Sequence, residues 1–386
     1  MNSTDPEGNA AAMSTPAPEP RPASGNDSGE LPARGARPRR RNVITVVAVI
    51  ASLYALVLVY PPLRLLHLIH PDRAFDTSTL LAVIVLPLLV RVSHEWWPNG
   101  FTRYAASLAM GWLGACFIAF LALVPAELSI LAGAKPQPMG LATLMAAMLF
   151  TGWALLNAQW LRVRRIALRG KGKATGRLVQ ISDVHIGSRS PTLLARIVRK
   201  VNAQQPDVLL ITGDFIDFRN IGEAELAALR DVRAPTYFVI GNHERYVDLD
   251  AICQRMRRLG ARVLRNDVGS EGPFHFLGID DAETKDQVAR VLPGLAQDPH
   301  RFQVLLYHRP DGLEAAAAAN IDLMLCGHTH NGQIVPFNFL VRRVFPRIVG
   351  LHDLGDTTLY VSPGTGTWGP VMRLGTRCEI TVFDIG

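Results

Sequence analysis

Charged side chains are scarce between about residues 43 and 161 and common after that point, and this asymmetry limits what the chain can fold into. An uncharged stretch of about 20 residues can cross a bilayer as a helix, because a helix satisfies its own backbone N–H and C=O groups. Val43 to Leu63 carries no charge, and Tyr104–Ala126 and Pro136–Leu161 are also long enough to span. Thr77–Val90 is shorter and contains Pro87. Charge decides whether it spans. With four spans and a cytoplasmic N-terminus, the Arg37–Arg41 cluster, the Arg91/Arg103 loop and the run from Arg162 to Lys173 all lie inside. Only Arg64, Arg73 and Lys135 then lie outside. Three spans would put the richest basic run on the wrong side. Trp96, Trp97, Trp112, Trp153 and Trp160 fall mostly near segment ends, where indole rings favour the interface.

The domain organisation expected is a disordered basic N-terminal tail at 1–41 and a transmembrane region at 42–161 with four helices. A basic linker at 162–176 and a soluble α/β domain at 177–386 follow. The tail is rich in Pro, Ala, Ser and Gly and has almost nothing to bury. Arg40-Arg41-Asn42 loosely matches a twin-arginine export signal, but three further apolar segments and a basic exit from the last one argue against export. The expected location is the cell inner (plasma) membrane, multi-pass, with the soluble domain cytoplasmic. The net charge of +7 sits largely beside the apolar segments, so membrane lipids are the expected partners and nucleic acid is not. Four cysteines without CxxC spacing indicate neither a zinc ribbon nor a disulfide framework.

From Arg177 short β-rich runs alternate with amphipathic stretches. Strands are expected at Leu178–Ile181, Val208–Thr212, Tyr237–Ile240, Val304–Tyr307, Leu323–Cys326, Leu359–Val361 and Ile380–Ile385. Helices are expected at Pro191–Val201, Glu223–Leu229 and Leu249–Leu259. Five of the strands run directly into the same chemistry. They lead to Asp183-Val184-His185, to Gly213-Asp214 with Asp217 three residues on, to Gly241-Asn242-His243-Glu244, to His308-Arg309-Pro310 and to Gly327-His328-Thr329-His330. In an α/β sheet such strand ends share one edge, where ligands bind. The glycines are expected to let the backbone turn tightly as each strand stops.

A lone His or Asp at a strand end is usually a surface or capping residue, and His67, His70, His94, His275, His300 and His352 are read that way. The other five histidines all fall in the strand-end set. Carboxylate, imidazole and amide donors together suit divalent Mn, Fe or Zn. One carboxylate is able to bridge two such ions about 4 Å apart, as in two-metal phosphoester hydrolysis.

In this order the blocks D-x-H, G-D-x-x-D, G-N-H-[DE], a lone His and G-H-x-H resemble the calcineurin-like metallophosphoesterase superfamily, over roughly residues 177–386. The His-Arg-Pro block and the Gly-His-Thr-His-x-Gly-Gln ending look most like its membrane-associated YkuE-like branch. The resemblance implies a four-layer α/β/β/α sandwich, here preceded by an all-α transmembrane region. It implies that Asp183, His185 and His330 hold one ion, that Asn242, His308 and His328 hold a second, and that Asp214 bridges both. His243 would be the proton donor or phosphate partner, and Asp217 the carboxylate orienting it. The implied activity is hydrolysis of phosphomono- or diesters by a hydroxide bridging the metals. Asn331 departs from the branch, which commonly has a small residue there, but Asn tolerates left-handed backbone angles. Arg309 and Arg373 are candidate phosphate contacts. A domain held close to the bilayer makes lipid-linked phosphoesters natural substrates. The rival reading is a membrane receptor or transport protein whose metal-binding domain regulates rather than catalyses.

Overall fold

The computed structural model describes Thr45, Ala48, Val49 and residues 51–386 apart from Phe75, Pro98 and Asn220. The expected tail and the start of the first apolar segment lie outside the described residues. Five helices come first: α1 (Ala51–Ile69, with a π-helical stretch at Ala55–Val59), α2 (Thr77–Ile84), α3 (Leu86–Trp96), α4 (Gly100–Leu131) and α5 (Pro136–Asn157). Among the described residues, four stretches are long and apolar enough to cross a membrane, with Thr77–His94 the second of them. Pro87 gives up one backbone donor, and the helix divides there into α2 and α3. Asp76 accepts from the Thr79 amide at 2.6 Å to start α2, and Asn99 and Thr102 form a capping box at the start of α4. Arg64, counted above among the outside charges, pairs with Glu127 through two contacts of 2.6 and 2.9 Å.

The soluble domain contains twelve strands: β1 (Leu161–Leu168), β2 (Gly176–Ile181), β3 (Val208–Thr212), β4 (Thr236–Val239), β5 (Ala261–Val263), β6 (Asp267–Glu271), β7 (Phe274–Gly278), β8 (Phe302–Leu306), β9 (Leu323–Cys326), β10 (Gly350–Leu354), β11 (Thr357–Val361) and β12 (Cys378–Ile385). They form two six-stranded sheets, ordered β1-β12-β2-β3-β4-β5 and β10-β11-β9-β8-β7-β6. The parallel runs β2 to β5 and β7, β8, β9, β11 deliver consecutive strand ends to one edge of each sheet. Helices α6 (Pro191–Ala203), α7 (Glu223–Leu226), α8 (Asn242–Tyr246) and α9 (Leu249–Arg258) belong to the first half of the domain, and α10 (Gln287–Val291), α11 (Leu313–Ala318) and α12 (Phe337–Val344) to the second.

Period-two burial explains the layers. On β3, Val208 and Leu210 join Phe274, Phe276, Phe302 and Tyr360 in the core between the sheets. Leu209 and Ile211 face the other way, onto Leu194, Ile197 and Val201 of α6. On the far sheet Leu305 and Met324 pack on Val288, Leu313 and Ala316. This is the α/β/β/α sandwich.

The stretch read as a linker, 162–176, is a different object. Leu161–Leu168 pairs in parallel with Cys378–Ile385 over eight residues as the edge strand of the first sheet. Leu161 and Ile166 are buried in the domain, while Arg162 and Arg165 stay exposed. The cluster of arginines hid the apolar alternation. The last membrane helix therefore enters the sheet after Asn157 with only three intervening residues, 158–160.

Candidate metal centre

The strand ends bring all nine sequence-predicted residues to one edge. Asp183 and His185 follow β2, Asp214 and Asp217 follow β3, and Asn242 and His243 open α8 after β4. His308 follows β8, and His328 and His330 follow β9. Donor atoms within 4.8 Å of one another form three groups that are able to hold a metal ion: Asp183, His185 and His330; His185, Asp214 and His243; and Asp214, His308 and His328. Asp214 belongs to two of them.

The local backbone is unusual. Among the described residues, eleven non-glycine residues have positive φ, and seven of them are Asp183, His185, Asp214, His328, His330, Asn331 and Gln333. Left-handed backbone at non-glycine residues is costly and concentrates at functional sites. Asn331 adopts φ 50° and ψ 33°, the conformation an Asn tolerates, so the departure from the branch pattern leaves the turn intact.

The glycines correct the earlier reading in part. Gly213 does turn, at φ 82°. Gly241 and Gly327 instead provide clearance: a Cβ on Gly241 would run into the Asp214 carboxylate, and one on Gly327 into Ser182 and the Asp183 carboxylate.

Hydrogen bonds fix which nitrogen of each ring faces the centre. Nδ1 of His185 lies 2.5 Å from Asp217 Oδ1, which leaves Nε2 facing His330 Nε2 at 3.0 Å. Nδ1 of His308 donates to the Thr212 carbonyl at 2.8 Å, and its Nε2 lies 3.0 Å from Asp214 Oδ2 and 3.2 Å from His328 Nδ1. His330 Nε2 is 3.4 Å from Asp183 Oδ1. Asp183 also accepts the His328 amide at 3.0 and 3.1 Å, and Asp214 accepts the His243 amide at 2.9 Å. Nδ1 of His243 is 2.8 Å from Asp217 Oδ1, and its Nε2 is 4.0 Å from Asp214 Oδ2.

Lone pairs and negative charge converge here with little to offset them. Burial pushes the Asp183 carboxyl up. Burial also pushes Asp214 up, but His308 outweighs it and holds Asp214 well below the usual range. Burial works to lower His308, and the Asp214 carboxylate reverses that, pushing the ring up to about 10. His328, buried beside His308, falls to about 3. Asn242 Oδ1 is buried with no hydrogen-bond partner. An orphaned amide oxygen on the residue before His243, in the same run of strand ends as the carboxylates and imidazoles, fits a divalent cation, and buried polar groups left otherwise unpaired would be costly.

Sequence reading missed several residues that hold this edge. The Glu244 carboxylate is fully buried and accepts the amides of Gly241, Asp214, Phe215 and Ile216 at 2.7–3.0 Å, tying the β3 and β4 ends together. Its place as the fourth residue of Gly-Asn-His-Glu was the available signal. Arg373 is no phosphate contact. It is buried, and its guanidinium donates to the carbonyls of His330, Pro363 and Gly366, each at 2.7 Å. Arg309 pairs with the buried Asp281 at 2.7 Å. Trp368, half-exposed, stands with its ring centroid 6.2 Å from that of His243, and Gln333 clamps its backbone N–H and C=O at 2.9 Å each. His94 and His275 are buried rather than superficial: His94 packs edge-on to Phe218 at 4.6 Å, and His275 lies 2.8 Å from the Ala296 carbonyl.

Sheet order, ligand chemistry and the position of the centre are those of a metallophosphoesterase-type domain with candidate metal-binding groups. Residues 176–332 match the calcineurin-like phosphoesterase family, and the chain carries a domain of that family. It is 33% identical over 221 residues to an uncharacterized metallophosphoesterase of Campylobacter jejuni, covering 54% of this chain and 59% of that one. It is 34% identical over 237 residues to a bovine transmembrane protein with a metallophosphoesterase domain, covering 53% and 52%. It is 28% identical over 243 residues to an Escherichia coli phosphodiesterase, covering 57% and 86%. The chain thus spans little more than half the length of the first two relatives. Members of the family are metal-dependent phosphoester hydrolases.

Proposed function

We propose that the chain is a membrane-anchored phosphoesterase that uses two divalent ions, Mn, Fe or Zn, to hydrolyse phosphomono- or diesters. The observation that carries this reading is Asp214, whose carboxylate is shared by two groups of candidate ligands at the edge where both sheets end. Asp183, His185 and His330 would hold one ion. Asn242, His308 and His328 would hold the other, and Asp214 both. Divalent ions at such a centre make water a nucleophile at neutral pH and offset negative charge on the phosphoryl oxygens.

The protein's own contribution is orientation and a proton. Asp217 accepts from both His185 and His243, so one carboxylate aligns a ligand and the candidate acid together. With Nδ1 of His243 engaged, Nε2 is the atom left to protonate the leaving oxygen. His243 is partly exposed, while the His185, His308 and His330 rings are buried, so substrate can reach it.

The proposed setting is the inner (plasma) membrane with the catalytic domain cytoplasmic. Arg103, at the entry to α4, pairs with Glu225 of the soluble domain at 3.2 Å. Asn157, at the exit of α5, donates to the Arg373 and Thr376 carbonyls at 2.8 Å. Both belong on the domain's side of the bilayer, as an even number of spans and the positive-inside pattern require. The test is metal analysis of the purified full-length chain with a screen of p-nitrophenyl phosphate, its bis-ester and pyrophosphates in Mn²⁺. Two bound ions with turnover support the proposal. Metals bound with no hydrolysis of any ester would favour the regulatory receptor.

A further inference from the structure

Helix α12 connects the metal centre to a membrane-spanning helix. Phe345, the residue after it, packs edge-on against His328 with ring centroids 5.1 Å apart. At its other end Phe337 packs edge-on against Phe117 of α4 at 6.3 Å. Two loops bordering the centre join the same contact: Ile334 and Met372 share a buried cluster with Ile118 and Ala154 of the membrane helices. A Cβ on Gly114 would meet Met372 Sδ at 2.7 Å, so α4 lies directly against the loop whose next residue, Arg373, donates to the His330 carbonyl.

Helix lengths set the depth of this contact. At 32 residues α4 is about 48 Å long, while the hydrocarbon core is about 30 Å thick. With Leu131 at the far boundary, roughly the first twelve residues project from the near side, where Arg103 meets Glu225. Phe117 then lies roughly 8 Å below the near boundary, within the depth at which amphipathic helices rest, ~5–10 Å.

What α12 displays suits that depth. Phe337, Leu340, Val341 and Val344 recur at helical spacing as one apolar stripe. On that stripe Leu340 is 63% exposed and Val344 54%, and off it, between the two arginines of the helix, Phe339 is 62% exposed, apolar surface that a soluble protein rarely leaves bare. Arg342 and Arg343 are exposed on the same helix, and no ion pair is seen for either among the described residues. Apolar side chains at the acyl boundary with arginines reaching for lipid phosphates is the pattern of an interfacial helix.

The geometry points to α12 seated in the bilayer interface, so that the centre takes long-chain amphiphilic phosphoesters sideways from the membrane. The substrate half of this inference rests on the phosphoesterase reading; the seating of α12 does not. Leu340 is the probe for seating. The four native cysteines are buried, so Leu340→Cys in the full-length chain labels selectively with bimane. In nanodiscs of phosphatidylcholine and phosphatidylglycerol the label should be quenched by doxyl-lipid and spared by aqueous iodide. Quenching by iodide, or shielding from both agents by a second protein surface, overturns the seating.

The catalytic arm compares p-nitrophenyl hexadecyl phosphate with p-nitrophenyl methyl phosphate in the same nanodiscs, with Mn²⁺. The wild type should favour the long chain in kcat/KM by roughly tenfold or more, the ratio that burying a few methylenes supplies. Phe339→Ser with Leu340→Ser should remove that preference and leave the methyl ester unchanged. A wild type without chain-length preference, or a double variant that loses both activities equally, overturns the substrate inference. If neither ester is cleaved while the label still sits in lipid, the phosphoesterase reading and the substrate inference fall and the seating of α12 stands.

Discussion

The core between the sheets and the edge where the strands end belong to the same strands and obey opposite rules. Between the sheets Phe274, Phe276, Phe302, Tyr360 and Phe383 fill the space with side chains that gain from leaving water, each by roughly 1.5–3 kcal/mol. Just beyond the ends of β2, β3 and β4, whose Leu178, Val208, Leu210 and Tyr237 line the same core, Asp183, Asp214 and Glu244 are equally buried, amid left-handed backbone at the first two. Buried charge and strained φ both oppose folding. The difference teaches that the edge is not held by its own preferences. The core and the amide clamp of Glu244 hold it, in a form that bound cations would relieve.

The sharpest way to break that comparison is Asp214→Ala. If the carboxylate serves two ions, metal content and turnover should vanish together, turnover by a factor on the order of 10⁴ or more. Unfolding of the metal-free protein should shift by only about 1–2 kcal/mol, for the lost hydrogen bond to the His243 amide. Metal analysis, a bis-ester assay and thermal melts read all three. A variant that keeps both ions would remove Asp214 from its assigned place.

The converse substitution is Phe276→Ala. Its ring is fully buried with a centroid 4.5 Å from that of Tyr237, and its removal should cost about 3–5 kcal/mol. Metal stoichiometry and KM of the remaining folded protein should not change. Loss of metals in step with stability would show that core and edge are one energetic unit and end the contrast drawn here.

His243→Ala should come next, with turnover down by about 10² and both ions retained. The methyl-versus-nitrophenyl leaving-group series refines the assignment. An acid matters most for poor leaving groups, so the defect should widen as the leaving-group pKa rises. Metal loss in this variant would instead make His243 a ligand, as its membership of one donor group with His185 and Asp214 allows.

The edge was the legible part of this chain. Asp183, His185, Asp214, Asn242, His308, His328 and His330 each follow a short apolar run, so period-two patterning and ligand chemistry pointed to them together. Strands that carry a different signal were missed. The arginines of Leu161–Leu168 are an edge strand's solvent-facing residues and read as a linker. Asp267–Glu271 is a partly exposed edge strand with a glycine inside, and Ala261–Val263 is three residues long, so neither has a pattern to detect. Arg373 was misread for another reason. A buried guanidinium donating to three carbonyls looks, in sequence, like any cation near a phosphate site. Its partners Pro363 and Gly366 come from a loop whose path no local rule sets.

Arg309 makes the smallest and most discriminating prediction, because sequence and structure assign it different work. It lies beside His308, a proposed ligand, and sequence alone made it a candidate phosphate contact. Its guanidinium is instead 2.7 Å from Asp281, a fully buried carboxylate that Arg245 also reaches at 3.0 Å. Arg309→Ala therefore leaves Asp281 with one cation still in place. The loss should be about 1 kcal/mol of stability, well short of the ~3–5 kcal/mol expected for stranding a buried charge. Arg245→Ala should cost a similar amount alone, and the double variant should cost more than the sum, because only then is Asp281 uncompensated. KM for the bis-ester should stay within about twofold in each single variant. If Arg309→Ala raises KM tenfold with an unchanged melting curve, the arginine reaches substrate during turnover, and the ion pair with Asp281 describes only its resting position.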